Sequence, residues 1–434
     1  MRIRSSFAAT VTLGAVAVLT TGCLSSGGGG GGSSNTSKTI EVMYAFTTDQ
    51  ETGFKGEVND WGKKNGITVK FTQSSSFDQL INTRVQGNDA PDVALFPQPG
   101  IMTDMANQGL LADLSGVVDK SDLDAMIPGA LQTGQVNGKQ YAIPMSINVK
   151  SIVFYPKAPA QAAGLKPPET FDDLLTLSKT LAATGTTPWC FGIESSAATG
   201  WPATDWVENL MLIDYGSDVY NQWVAHKIPF NDPKVQDVLK QMDALLLADG
   251  QTNGGRSSIA ANNFNTAANP MFDNPPGCYM YRQGNFVAKK GGFPDAVLAD
   301  LDKTVGVFPM PGKTAADKPV LGGGDLAGIF AKDNDSAKKL VQFLASKDYG
   351  THGYAKTGAW ISPRTDFDVS LYPTQLLGSI AKIAYDSTEF VFDGSDQMPG
   401  EVGSGSFWRD MTAWISGQED AKTALDNIES SWPS

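Results

Sequence analysis

Residues 89–100 read DAPDVALFPQPG, and this stretch decides the fold. Asp92-Val93-Ala94-Leu95-Phe96 is an apolar run without alternation. That pattern suits a parallel strand covered on both faces. Pro97, Gln98, Pro99 and Gly100 then stop it, because a central strand cannot continue through prolines. An amphipathic pattern follows at once: Ile101, Met102, Met105, Ala106, Leu110 and Leu111. The reading is strand, sharp loop, helix, with polar Gln98 at the carboxyl end of the strand. In open α/β sheets that is where ligands bind. The plainer alternative for Gln98 is a solvated turn residue.

Upstream the same unit recurs. Residues 39–46 (TIEVMYAF) form a strand, 54–64 a helix with Phe54, Val58 and Trp61 on one face, and Asn65-Gly66 a stop. Residues 67–71 (ITVKF) are a second strand, Ser74-Ser75-Ser76 a loop, and 77–85 a helix. Three strand–helix pairs in succession make one doubly wound half of an α/β fold. Downstream, Asn137-Gly138 marks a turn. Strands are expected at 151–155, 277–281 and 305–309, and another begins at Gly322-Gly323-Gly324-Asp325. Helices are expected at 158–164, 171–183 (Thr170 as N-cap), 207–211, 235–248 and 336–345.

A chain of 434 residues exceeds what one core supports, so two or more domains are expected. The composition, 41% hydrophobic and 18% charged, is that of a globular protein. Net charge is −13, with no Lys/Arg run, which argues against a nucleic-acid partner.

The N-terminus reads as an export signal. Arg2 and Arg4 precede a short apolar segment, 7–19, too short to span a bilayer. It ends Leu19-Thr20-Thr21-Gly22-Cys23, which resembles a bacterial lipobox, although Thr20 stands where that pattern has Leu. Residues 1–22 are thus expected to be removed, Cys23 lipidated, and 23–38, with glycines 27–32, to act as a flexible tether. A plain secretory signal is the alternative. Of the other two cysteines, Cys190 and Cys278 either pair or remain buried thiols. An exported chain favours pairing, worth roughly 4–5 kcal/mol by chain entropy.

Five segments in register carry a family likeness: 87–100 (GNDAPDVALFPQPG), 137–157 (NGKQYAIPMSINVKSIVFYPK), 163–181 (AGLKPPETFDDLLTLSKTL), 305–312 (VGVFPMPG) and 358–364 (GAWISPR). Together they resemble the extracellular solute-binding proteins of carbohydrate ABC transporters, the group that includes maltose-binding protein. FPQPG, 198–212 (ATGWPATDWVENLML), the Cys190/Cys278 pair and 280–286 (MYRQGNF) look closest to the α-glucoside branch. The resemblance implies a two-lobe α/β periplasmic-binding-protein-like fold with a hinge and a ligand cleft between the lobes. The first lobe would comprise 39–147 and 304–355, the second 148–303 and 356–434. It further implies a monomeric receptor without catalysis, lipid-anchored at the extracytoplasmic face, that delivers an oligosaccharide to permease subunits.

A sugar needs aromatic planes for its C–H faces and paired donors and acceptors for its hydroxyls. The positions that match the family's ligand contacts are Phe46, Thr47, Ser75, Gln98, Asn148, Trp201, Asp205, Trp206, Arg282, Gly324, Asp325, Trp360 and Arg364. Trp201 and Trp206 flank Asp205 in a Gly/Pro-containing stretch expected to be a loop, where they would offer a stacking platform and a hydroxyl acceptor. Core packing is the alternative for Phe46 and Trp360, a surface ion pair for Arg282, and a hinge hydrogen bond for Asn148. No cofactor or metal is implied. The two histidines, His226 and His352, lack metal spacing, and no Gly-x-Ser-x-Gly elbow occurs. A secreted glycoside-active enzyme and a surface lipoprotein outside transport remain the rival readings.

Overall fold

A computed structural model of the chain describes residues 38–46, 48–330 and 333–433. The expected signal segment, the lipidation residue Cys23 and Thr47 lie outside the described residues. Among the described residues, no helix is long and apolar enough to cross a membrane.

The strands are β1 (Thr39–Tyr44), β2 (Thr68–Gln73), β3 (Val93–Phe96), β4 (Gln135–Val136), β5 (Lys139–Gln140), β6 (Ala142–Val149), β7 (Ile152–Pro156), β8 (Tyr281–Arg282), β9 (Val305–Pro309), β10 (Pro319–Ile329) and β11 (Glu389–Phe392). β1 pairs in parallel with β2 and with β3, as the doubly wound reading expects. All four β3 side chains are fully buried. Phe96 packs edge-on to Phe77 at 5.8 Å; withdrawing such a ring from water contributes about 1.5–3 kcal/mol. Pro99 opens the helix Pro99–Asn107, where its missing N–H is harmless. Asn137 and Gly138 both take positive φ and close the β4–β5 hairpin. The helix Phe171–Ala183 carries a full capping box between Thr170 and Asp173.

The chain is a two-lobe α/β fold, and its larger sheet is built on a central ribbon. β6 and β10 run antiparallel, Val149 opposite Gly322 through to Ala142 opposite Gly328, with an irregularity between Asp325 and Leu326. The other edge of β10 changes partner along its length. Residues 319–322 pair with β11 and residues 326–329 with β3. Gly323, Gly324 and Asp325 lie between these two pairings, so the sheet opens there. A smaller sheet, β8–β7–β9, continues from β6.

Two expectations need correction, and one strand stands outside them. The helix placed at 207–211 runs as Trp201–Val224, interrupted at Gly216. Trp201, Asp205 and Trp206 are therefore helical, not in a loop. Gly200, at φ 114°, turns the chain, and Pro202 fits the first helical turn. Two tryptophans can flank an aspartate at the start of a buried helix here because each faces a different neighbour. The strand expected at 277–281 shrinks to β8. Cys278 is bonded to Cys190, with their Cα atoms 5.4 Å apart across a sequence separation of 88, and Met280 bridges to Trp189. Finally, the strand β11 was not anticipated.

Candidate functional site

The opening beside residues 323–325 is a cleft of about 340 Å³. Its walls come from the carboxyl ends of strands, as expected for an α/β sheet. The chain just past β1 supplies Ala45 and Phe46, that past β3 Pro97, and that past β11 Asp393, Ser395 and Asp396. The central ribbon supplies Asn148, Gly323, Gly324 and Asp325, and Lys150 follows β6. Trp201, Phe286 and Trp408 complete one side, and Gln50 another.

Gly324 is required by close approach. At φ 147°, a Cβ there would meet the Ser146 carbonyl oxygen at 2.1 Å. Gly200 serves Trp201 in the same way, since a Cβ would sit 2.3 Å from the Trp408 carbonyl oxygen. Trp201 also packs against Phe264 at 4.8 Å and Phe286 at 5.9 Å.

Below the cleft lies a buried charge network. Lys150 pairs with Asp393 and, at 3.1 Å, with Asp205. Its ammonium lies 5.2 Å from the Trp201 ring centroid. Arg282 reaches Asp205 at 3.4 Å and donates to its backbone oxygen at 2.9 Å. Glu208, one turn after Asp205, accepts from the Gly394 and Ser395 N–H groups at 2.7 and 3.2 Å and from the Tyr220 hydroxyl at 3.2 Å. Oxygens of Asp205, Glu208 and Asp393 come within 4.8 Å of one another. Lys150, Arg282 and backbone N–H groups already compensate them, so the cluster assigns no metal.

Burial opposes the charge of Lys150, but the Asp205, Asp393 and Asp396 carboxylates outweigh it and hold the ammonium protonated above its ordinary range. Burial also works against ionised Asp393, but Lys150 prevails and lowers its carboxyl to about 2. Asp396, half-buried at the rim, is pushed up to about 8 by desolvation and by the charge of Asp393. Asp325 rises to about 6 through burial, tempered by the Ser146 hydroxyl, which donates to it at 2.6 Å. The cleft thus holds both proton donors and acceptors beside aromatic planes, a combination that suits a polyhydroxylated ligand.

Five residues expected at the site line the cleft: Phe46, Asn148, Trp201, Gly324 and Asp325. Gln98, Asp205 and Arg282 sit one layer behind it: Gln98 Nε2 is 3.4 Å from Asp396 Oδ1, while Asp205 and Arg282 belong to the buried network. Of the remaining five, Thr47 lies outside the described residues and the other four lie elsewhere. Ser75 is exposed on its loop. Trp206 is core, 5.2 Å from Trp189 and stacked under Arg282. Trp360 is buried against Tyr349 and Tyr354 and donates to the Met145 carbonyl at 2.8 Å. Arg364 is bound by Asp122 and Asp366.

Lys150, Phe286, Asp393, Ser395, Asp396 and Trp408 were not singled out from sequence. A signal existed for some. Lys150 lies two residues beyond Asn148, hence on the same side of an extended chain. Residues 389–396 (EFVFDGSD) repeat the logic of VALFPQPG, an apolar run stopped by polar turn residues.

The sequence profile of the bacterial extracellular solute-binding protein family matches residues 47–351. The chain belongs to that family. It is 35% identical over 400 residues to the osmoprotective compounds-binding protein GgtB of Synechocystis, covering 91% of this chain and 93% of the relative. It is 33% identical over 407 residues to the alpha-glucosides-binding periplasmic protein AglE of Rhizobium meliloti, covering 92% and 87%. Among solved structures, the bacterial solute receptor AcbH superposes with a TM-score of 0.77 at 19% identity, covering 92% of this chain and 98% of that one. Maltose-bound MalE3 of T. maritima gives 0.64 at 18%, covering 90% and 98%. At these identities the superpositions establish the shared fold.

Proposed function

We propose that this solute-binding protein is the lipid-anchored receptor of an ABC importer and captures an oligosaccharide of the α-glucoside type. The observation that carries this reading is the cleft itself. Trp201, Trp408, Phe286 and Phe46 offer aromatic surface, and Asn148, Asp325, Ser395 and Asp396 offer hydrogen-bonding groups, all at strand ends beside the β6–β10 ribbon. A relative named for α-glucosides, aligned along most of its length, supports the sugar class.

In this reading 39–147 with 304–355 and 148–303 with 356–434 close on the sugar about the ribbon. The ligand drives closure only by its greater affinity for the closed state. The closed monomer docks on the permease, which reopens it. Cys23 holds the protein at the extracytoplasmic face of the cell membrane through its tether. A carboxylate pair with separated pKa values, Asp393 and Asp396, is also the pattern of glycoside hydrolysis. One experiment separates the two readings: a thermal-shift screen with α-glucosides, β-glucosides and galactosides, followed by product analysis. The receptor reading expects stabilisation by α-glucosides with the sugar recovered intact. Turnover, or no response to any sugar, overturns it.

A further inference from the structure

The loop after β11 brings Asp393, Ser395 and Asp396 to the cleft, and its conformation is imposed from below. Three successive backbone N–H groups turn inward onto carboxylates. Those of Gly394 and Ser395 donate to Glu208, and that of Asp396 donates to the Asp393 side chain at 3.1 Å. The first two each hold one oxygen of Glu208, whose carboxyl is pushed well above its usual range by burial and by the nearby Asp393 and Asp205 charges. Glu208 comes from the helix Trp201–Val224, has no exposed surface and does not line the cleft. The same helix begins with Trp201, so one rigid element carries both an aromatic wall of the cleft and the anchor of its acidic loop. Tyr220, beyond the interruption at Gly216, places its hydroxyl 3.2 Å from Glu208 and 2.9 Å from the Phe392 carbonyl oxygen, tying the end of β11 to the same point.

We infer that Glu208 is a positioning residue for ligand recognition: its carboxylate fixes the 393–396 loop so that Ser395 and Asp396 meet the ligand in register with Trp201. This inference rests on the sugar-receptor reading for the ligand, but the clamp itself is measurable without one. Removing the carboxylate leaves buried N–H groups unpaired and frees the loop.

The test uses the full chain and Glu208→Gln, which keeps size but offers only one acceptor oxygen. Hydrogen exchange on the ligand-free proteins reads the clamp. The expected result is faster exchange at residues 394–396, with the β1–β3 sheet protected as in the wild type. Calorimetric titration with maltose reads recognition: at least a tenfold loss of affinity, shrinking to less than twofold when Glu208→Gln is combined with Asp396→Ala. Wild-type exchange in the loop overturns the clamp, and unchanged maltose affinity, or full additivity with Asp396→Ala, overturns the role in recognition. If Glu208→Gln fails to fold, Tyr220→Phe decides by the same readings, with about a threefold loss expected and no change contradicting the inference. A released loop in a protein whose wild type binds no maltose upholds the clamp and counts against the sugar reading alone.

Discussion

Gln98 Nε2 lies 3.4 Å from Asp396 Oδ1, joining the loop after β3 to the loop after β11 across 298 residues of sequence. The backbone follows, since Gly100 N–H donates to the Asp396 carbonyl at 3.4 Å. Gln98 thus acts on the cleft through a neighbour. Its hydrogen bond favours the ionised form of Asp396. Replacing Gln98 with Ala should raise the Asp396 pKa further above 8 and weaken sugar binding less than Asp396→Ala does. Carboxyl NMR titration of the two proteins checks the shift; an unmoved Asp396 would remove Gln98 from the account.

Asp396 also makes a prediction for stability against pH. Its folded pKa, about 8, lies above the ordinary aspartate value near 4. Between those values the folded protein holds a proton that the unfolded chain releases. Stability from this group is therefore greatest at low pH and declines as pH rises towards 8. Asp325, raised to about 6, has the same sign over a lower window, whereas Asp393, lowered to about 2, contributes the opposite trend only in strong acid. Thermal midpoints measured from pH 6 to 8.5 should fall less steeply in Asp396→Asn than in the wild type. An equal slope would contradict the assignment.

Trp201 and Trp206 should separate in function. Trp206 is 1% exposed, and Trp206→Ala should cost about 3–5 kcal/mol of stability, read by urea unfolding. Trp201 stands at the cleft, so Trp201→Ala should lower sugar affinity at least tenfold while costing less stability than Trp206→Ala. The reverse pattern would place the ligand elsewhere.

Gly324→Ala should disrupt the central ribbon. The new methyl would strike the Ser146 carbonyl, and the positive φ would add strain of about 1–3 kcal/mol. Unfolding in denaturant should show a loss at least that large. Wild-type stability would mean that the ribbon adjusts freely there.

Much of the architecture was legible because its signals are local. VALF between Asp92 and Pro97, the Thr170–Asp173 cap and the Asn137-Gly138 turn each depend on neighbours in sequence. The site was less legible because its polar groups are paired over long distances. Arg282 reads as a ligand contact or a surface ion pair until Asp205 is placed against it, 77 residues away. Trp360 and Arg364 read as cleft residues because they match positions where the family resemblance implies ligand contacts, yet the structure makes them a buried indole donating to Met145 and a guanidinium held by two aspartates. Asp205 and Trp206 were misplaced in a loop because nothing in sequence shows that Lys150 and Arg282 meet that helix.

The proposed ligand of the cleft between β3, β10 and β11 is an α-linked glucose oligosaccharide. Calorimetric titration of the wild type with maltose, repeated on Trp201→Ala and Asp396→Ala, tests it most directly. Saturable one-to-one binding by the wild type is expected, weakened at least tenfold in each variant while both remain folded. Equal maltose affinity in all three proteins, or no binding by a folded wild type, would contradict it.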